Sequence, residues 1–325
     1  MNWFLFALIC LLGWGGADLF YKMGTDENDK DSHLKISVWV GLIMGVCAMA
    51  LLPFCETVTA PTLLEGAVKY SPASIAYIVS MVIGYAGLRY LELSIVSPVQ
   101  NASGALSAII MLVYFMVIGK IESFWEEFSV LDVVGTVIIV VGFISLAVIE
   151  QRFASKEKAA EVKKEERKYR FGALALLFPL GYCLFDTLGT AADGIILDGE
   201  TGLGLGEIDI IVLYGLTFLL AGLVAWLIML IKNKKPYNPF AQTEIPKAIA
   251  AVCEEFGQIF YVYAFAAAEE RVVVVAPMIA SYCIVSMILS RIFLKEKLKA
   301  SQYACVAAVV VGIVCLGISE GLAEL

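Results

Sequence analysis

Charge is scarce in this chain of 325 residues. Only 17% of its side chains are ionisable Asp, Glu, Lys or Arg, where a soluble domain carries about 25%. That shortage excludes a soluble globular enzyme and a disordered protein. The 23 Lys and Arg are outnumbered by 31 Asp and Glu, for a net charge of −8. A nucleic-acid partner is excluded by that sign. There is one histidine, His33, in a loop, so no histidine-based metal site is expected. The eight cysteines form no Cys-x-x-Cys pair. Most fall in apolar stretches, at Cys10, Cys47, Cys183, Cys253, Cys283, Cys305 and Cys315, and read as small apolar fillers. The run Gly202-Leu203-Gly204-Leu205-Gly206 follows no strand and lacks the Lys-Ser/Thr of a phosphate loop. It reads as a flexible loop, and no nucleotide, metal or other cofactor is expected.

Hydrophobic residues fill the space that charge leaves, at 60% of the chain. A membrane helix needs about 20 mostly apolar residues. Ten stretches qualify, near 3–21, 36–54, 73–91, 94–118, 131–149, 171–191, 208–231, 247–268, 272–294 and 300–319. None alternates in polarity as a barrel strand would, so an all-α integral membrane protein with ten transmembrane helices is expected. The first stretch lacks a basic leader and reads as a retained helix, not a signal peptide.

Orientation follows from the cations. With ten crossings, one face holds both termini and only Lys69, Lys120 and Arg271 of the 23 cations. The opposite face holds the rest, so it is expected to be cytoplasmic and both termini extracytoplasmic. The largest basic block, between Arg152 and Arg170, is interleaved with Glu150, Glu157, Glu161, Glu165 and Glu166. Residues 150–170 therefore read as a solvated linker, helical in part, between units at 1–149 and 171–325.

The two units repeat. Gly13-Trp14-Gly15-Gly16-Ala17-Asp18 lies over Gly181-Tyr182-Cys183-Leu184-Phe185-Asp186. Tyr85-Ala86 and Glu92 lie over Tyr263-Ala264 and Glu270, Pro98 over Pro277, and Gly142 over Gly312. Five helices per unit is an odd number, so the second unit must enter the membrane inverted. Inverted repeats with a binding site between them recur in secondary transporters.

The run Phe293-Leu294-Lys295-Glu296-Lys297-Leu298, then Gln302 and Gly312, resembles the end of an EamA domain. Ala276-Pro277, Ser281 and Lys22 fit the same pattern, and Ile118-Gly119-Lys120 is a degraded first-half counterpart. The first-half turn lacks the glutamate and is followed by an extra Glu122–Ser129 stretch. The resemblance spans nearly the whole chain. It implies two inverted five-helix EamA repeats of the drug/metabolite transporter superfamily, whose members move small metabolites or toxic organic compounds.

Ionisable residues within a span cost about 3 kcal/mol and usually face protein or water. Asp18 and Asp186 sit deep in spans 1 and 6 and read as gate or coupling carboxylates. In small multidrug relatives the acid of helix 1 stands where this chain has Trp14. Glu254 and Glu255 in span 8 match uncharged Ala76 and Tyr77, so they break the repeat and point to the cargo. Gln258 shares the face of Glu254. Asn101, with Gln100, Ser103 and Ser107, suits a cavity wall or interhelical bonding. Tyr182, Tyr263 and Tyr282 could supply aromatic walls or packing. Gly41-x-x-x-Gly45 reads as a packing face.

The function expected is secondary transport of a small polar or amphipathic metabolite across the cytoplasmic membrane, with protons as a candidate coupling ion. By resemblance, export is favoured. The acidic interior favours amine-bearing cargo. A sugar or nucleotide-sugar exchanger is the alternative within the superfamily, disfavoured for phosphorylated cargo because no Lys or Arg embedded in a span is available to bind phosphate. A non-transporting subunit or sensor is a further alternative. An intramembrane aspartyl protease would need Tyr-Asp and Gly-x-Gly-Asp, where this chain has Phe185-Asp186 and a glycine run ending in Glu207.

Overall fold

A computed structural model of the chain describes residues 2–26, 28–161, 175–199, 202–239, 241–296 and 300–323. Its helices are α1 (Trp3–Gly24), α2 (Ser32–Leu51), α3 (Leu63–Gly87), α4 (Leu93–Gln100), α5 (Ser103–Val117), α6 (Phe124–Glu127) and α7 (Val130–Glu161). They continue with α8 (Leu177–Ile196), α9 (Glu207–Asn233), α10 (Ile245–Ala266), α11 (Val272–Ala280), α12 (Tyr282–Leu289) and α13 (Ala300–Ala323).

Among the described residues, eight segments are long and apolar enough to cross a membrane: α1, α2, α3, α4 with α5, α9, α10, α11 with α12, and α13. The sequence leads to an expectation of ten, and the other two fall on α7 and α8. In α7 the apolar stretch is the shorter Val130–Leu146. Helix α8 has 20 residues, but Asp186, Thr187, Thr190 and Asp193 make it markedly polar. At about 1.5 Å per residue, a helix the length of α1 spans roughly 33 Å, close to the thickness of a hydrocarbon core. Large apolar side chains such as Leu12, Val46, Leu64, Val117, Ile231 and Val311 stand exposed around the bundle, as a lipid-facing surface requires.

Helix boundaries differ from the expected ones where chemistry overrides hydropathy. Helix α3 begins ten residues early and runs through Pro72. A proline cannot bond the carbonyl four residues back, and Ser71 Oγ donates to that Val68 carbonyl at 2.8 Å. Lys69 pairs with Glu65 at 2.9 Å in the same polar turn. Helix α7 runs on to Glu161, into the stretch expected to be linker, because Ser155–Glu161 is rich in the good helix formers Lys, Glu and Ala. The linker from residue 162 onward, and Lys297-Leu298 of the EamA-like turn, lie outside the described residues. Two of these segments, α4 with α5 and α11 with α12, which the sequence reading numbers as spans 4 and 9, are broken. The first breaks at Asn101-Ala102 and the second at Ser281, three and four residues beyond Pro98 and Pro277.

Helices of the first half lie along helices of the second: α1 on α10, α2 on α9, α3 on α8, α4 on α12, α5 on α11 and α7 on α13. These pairings read the same when the halves are exchanged in register. Gly142 faces Cys305 and Val309, while Gly312 faces Gly135 and Ile139, so each contact is the image of the other. The helices approach to backbone distance. A Cβ on Gly41 would stand 2.4 Å from the Phe218 carbonyl oxygen and 2.9 Å from Gly222 Cα. A Cβ on Gly104 would stand 2.4 Å from the Ala280 Cβ, where the broken spans cross.

Polar groups gather at two levels. At one end Arg271 donates to Asp132 at 2.7 Å, lies 3.6 Å from Glu320 and stands over the Trp3 ring. The starts of α1 and α7 and the end of α13 therefore share one face, here called the terminal face. There too, Thr57 and Val58 donate backbone N–H groups to Asp209, and Lys120 binds Asp198 and Glu270. Burial works to lower the pKa of Lys120, but the hydrogen bonds to Asp198 and Glu270 outweigh it and raise the pKa, so its charge is secure. At the opposite face Lys22 Nζ donates to the Leu88 and Leu91 carbonyls at 2.7 and 2.8 Å. Glu296 accepts the backbone N–H of Leu93 and Ser94 at 3.3 and 3.2 Å, capping the first turn of α4.

Replacing Gly41 with Leu forces α2 and α9 apart. We expect the variant to lose about 1–3 kcal/mol, read as a lower unfolding temperature of the detergent-solubilised protein. Gly199→Ala, at a position with nothing within 4 Å of a Cβ, is the unaffected control.

Candidate functional site

The halves meet around a polar cavity. Its walls come from α1, α3, the break between α4 and α5, α8, α9, α10, and the break between α11 and α12. About 60 Å³ of it is open to the centre of a water molecule, which is room for roughly four waters. Of the residues singled out in the sequence, Trp14, Asp18, Asn101, Tyr182, Asp186, Glu254 and Gln258 line it, as do Gln100, Ser103 and Tyr282.

Asp18 stands six residues before the end of α1, well inside the helix. Its Oδ2 accepts from Ser97 Oγ of α4 at 2.6 Å and from Ser286 Oγ of α12 at 2.7 Å. Asp186, in the middle of α8, accepts from Ser103 Oγ of α5 at 2.6 Å. The two carboxylates that match in the repeat thus bind serines of the broken spans. Glu254 enters the cavity from α10, and Trp14 Nε1 donates to its backbone carbonyl at 3.3 Å. Gln258, one turn on, is buried with its Nε2 unpartnered. Asn101 Nδ2 donates back to the Ser97 carbonyl at 2.8 Å, so this side chain also closes the broken end of α4.

Glu255 does not belong to this group. Successive helical residues point about 100° apart, so two adjacent glutamates cannot share a face. Glu255 is buried at 6% exposure, its Oε1 has no partner, and it interacts with Cys47 of α2. Lys247 serves neither glutamate; it binds Glu244 at 2.8 Å. Tyr263 packs on Phe6 with ring centres 5.6 Å apart and is also away from the cavity, whereas Tyr282 lines it.

The rest of the lining is aromatic. Trp14 stacks on Tyr261 with centroids 5.2 Å apart and meets Tyr282 edge-on at 5.7 Å. Tyr21 and Tyr85 lie 4.7 Å apart and share a 3.2 Å hydrogen bond. Tyr77 and Tyr214 complete the wall. No Lys, Arg or His is among the lining residues. The sequence places Tyr261 beside Gln258, but the reading missed Tyr21, Tyr77, Tyr85 and Tyr214 as lining residues, together with the buried Asp193 of α8 just behind them. A signal existed for the last: Asp186 and Asp193 are seven residues apart, two turns along one face.

Apolar helices packed around an acid-lined cavity make this a multi-pass membrane protein. Its second half carries the family signature: residues 201–318 match the EamA-like transporter family, the domain of the drug/metabolite transporter superfamily. No curated protein is significantly similar to the chain. A solved structure described only as "Crystal structure of protein" aligns over 99% of this chain and 99% of its own, at 11% identity and a TM-score of 0.59. At that identity the likeness is one of fold alone.

The serines hold Asp18 in place. A hydrogen bond to a charged group contributes roughly 1.5–3 kcal/mol. The double variant Ser97→Ala/Ser286→Ala is expected to lower stability by ~2–4 kcal/mol, and adding Asp18→Asn is expected to recover part of that loss. Thermal unfolding of the three purified variants in detergent checks both steps; equal losses with and without Asp18→Asn would contradict the assignment.

Proposed function

We propose that this chain is a secondary transporter for a small, amine-bearing organic cation. The observation that carries the reading is the lining of the cavity: three carboxylates, Asp18, Asp186 and Glu254, a wall of tyrosines with Trp14, and no cation. An ammonium group over aromatic faces gains about 0.5–2 kcal/mol per ring when desolvated, and a carboxylate supplies its counter-charge. Phosphorylated cargo would meet three like charges and no Lys or Arg, which weighs against nucleotide-sugar or sugar-phosphate exchange.

In this reading the ten helices form two inverted five-helix repeats, at 1–149 and 171–325. The exchange-symmetric pairings support it, as do the matching breaks in spans 4 and 9. The broken spans cross at Gly104 and Ala280, at the centre of the bundle, where rocking of one half on the other would alternately expose the cavity. The polar clusters at the terminal face and at the opposite face would act as the two gates. The family match favours a transporter over an enzyme. The cation distribution favours the opposite face as the cytoplasmic one, with both termini outside, in the cytoplasmic membrane. Export follows from the family resemblance alone, and proton coupling is the expected drive.

In proteoliposomes, choline, tetramethylammonium and putrescine are expected to show tracer counterflow, and glucose 6-phosphate none. Asp18→Asn, Asp186→Asn and Glu254→Gln are each expected to reduce cation counterflow by about tenfold or more, the effect of losing roughly 1.4 kcal/mol or more of interaction. Counterflow of the phosphate ester in place of the cations would overturn the cargo class. Absence of any flux would favour the subunit or sensor reading.

The orientation is tested separately. In intact cells, single cysteines introduced at Asn2 and Gly321 of a cysteine-free chain are expected to react with a membrane-impermeant maleimide, and one at Asn233 is not.

A further inference from the structure

Behind the cavity wall lies a carboxyl group that the transport reading has not used. Asp193 of α8 is 0% exposed. Its Oδ1 accepts the hydroxyl proton of Tyr70 at 2.9 Å. Its Oδ2 is buried and receives no hydrogen bond. The hydroxyls of Tyr70 and Tyr77 of α3 and Tyr261 of α10 are its hydrogen-bonding neighbours, and Tyr214 of α9 and, along α8, Asp186 act on it electrostatically. The side chains nearest the adjoining Gly194, from α5 and α11, are uncharged Met111 and Val272. None of these groups is a Lys, Arg or His.

Counting protons shows what Oδ2 carries. Tyr77 has one hydroxyl proton and donates it to Thr190 Oγ1 at 3.2 Å. In the 2.8 Å pair between Tyr77 and Tyr261, the proton must then come from Tyr261. Tyr70 has committed its proton to Oδ1. No hydroxyl stands in hydrogen-bond geometry to Oδ2, although the phenol oxygens of Tyr77 and Tyr261 lie nearby. An ionised, fully buried carboxylate with one bare oxygen and no cation is strongly disfavoured. A proton on Oδ2 reverses the mismatch, because the group becomes the donor that the phenol oxygens lack. Tyr77, Thr190 and Tyr261 also line the cavity, so a single layer of side chains separates Asp193 from cavity water.

We propose that Asp193 is a proton-binding site, occupied as the neutral acid in this structure, and that its proton is the one coupled to movement of the cargo. The proton leaves Oδ2 for a cavity water, the electron pair staying on the carboxylate, and returns by the same route. Substrate and proton then occupy different carboxyls, with the cargo at Asp18, Asp186 and Glu254 and the proton behind Tyr77 and Tyr261. The coupling half of the proposal rests on the transport reading above; the proton site itself does not.

The full chain is compared with Asp193→Asn, whose amide is uncharged and can keep the hydrogen bond from Tyr70. Infrared spectra of the reconstituted protein are expected to show a protonated-carboxyl C=O band at neutral pH that is missing from Asp193→Asn. With choline as probe, the variant is expected to keep counterflow, which moves no net proton. It is expected to lose accumulation driven by a pH gradient by about tenfold for each unit of gradient, the effect expected for one coupled proton. Identical carboxyl bands in the two proteins would overturn the proton site. Accumulation by the variant at the wild-type level would overturn the coupling. If wild type fails to exchange choline, the transport reading fails, and the infrared comparison still decides whether Asp193 holds the proton. Should Asp193→Asn not fold, Tyr70→Phe removes the donor to Oδ1 and is expected to shift the pH range over which the band is lost; an unshifted band would count against the assignment.

Discussion

Three carboxylates facing one another with no cation between them is the constraint around which the structure is arranged. Like charges in a low-dielectric interior repel strongly. The fold answers with hydroxyl donors: serines on Asp18 and Asp186, and tyrosines around all three. The serines come from α4, α5 and α12, the short helices that flank the two breaks. Pro98 and Pro277 make the turns, and Asn101 ties one of them off. The breaks thus bring the serines to the acids, and the residual charge is left for whatever enters the cavity.

The cations sit elsewhere for a reason. Lys22, Lys120 and Arg271 are all held at the ends of the bundle, each spanning two or three elements. Lys22 ties the connection between α3 and α4 to the end of α1. Lys120 joins the ends of α5 and α8 to the turn before α11. A buried pair is a poor source of net stability, but breaking one is costly. Such contacts can hold a face shut and still come apart as a unit when one half moves against the other.

Much of this was legible in the sequence. The apolar stretches located the helices, and the Gly-aromatic-Asp repeat located the two central acids. The packing role of Gly41 followed from its spacing. Errors arose where one-dimensional reading has no angular or end information. Grouping Glu254 with Glu255 ignored the 100° between neighbours on a helix. Asp193 was lost because the sixth span was ended at residue 191, so that an acid in the last turn of α8 fell into a loop. The tyrosine wall was missed because its members come from α1, α3, α9 and α10, and no local spacing joins them. The ten-span count was drawn partly from stretches whose polarity, as in α8, reflects a cavity lining as much as a lipid-facing surface.

The departures from symmetry bear on direction. The register that lays Asp18 on Asp186 also lays Lys22 on Thr190 and Thr25 on Asp193. One end of the cavity is therefore closed by a lysine bonded to two backbone carbonyls, and the other by a buried acid among tyrosines. A lysine held on two backbone carbonyls is fixed in place, whereas a carboxyl group exchanges its proton once water reaches it. If Asp193 holds the proton, titration acts at the end of the cavity nearer the terminal face. Two halves alike enough to rock about one centre would then respond differently to acid on the two sides of the membrane. A symmetric pair of gates could not produce that difference, because exchanging its halves would leave the protein the same.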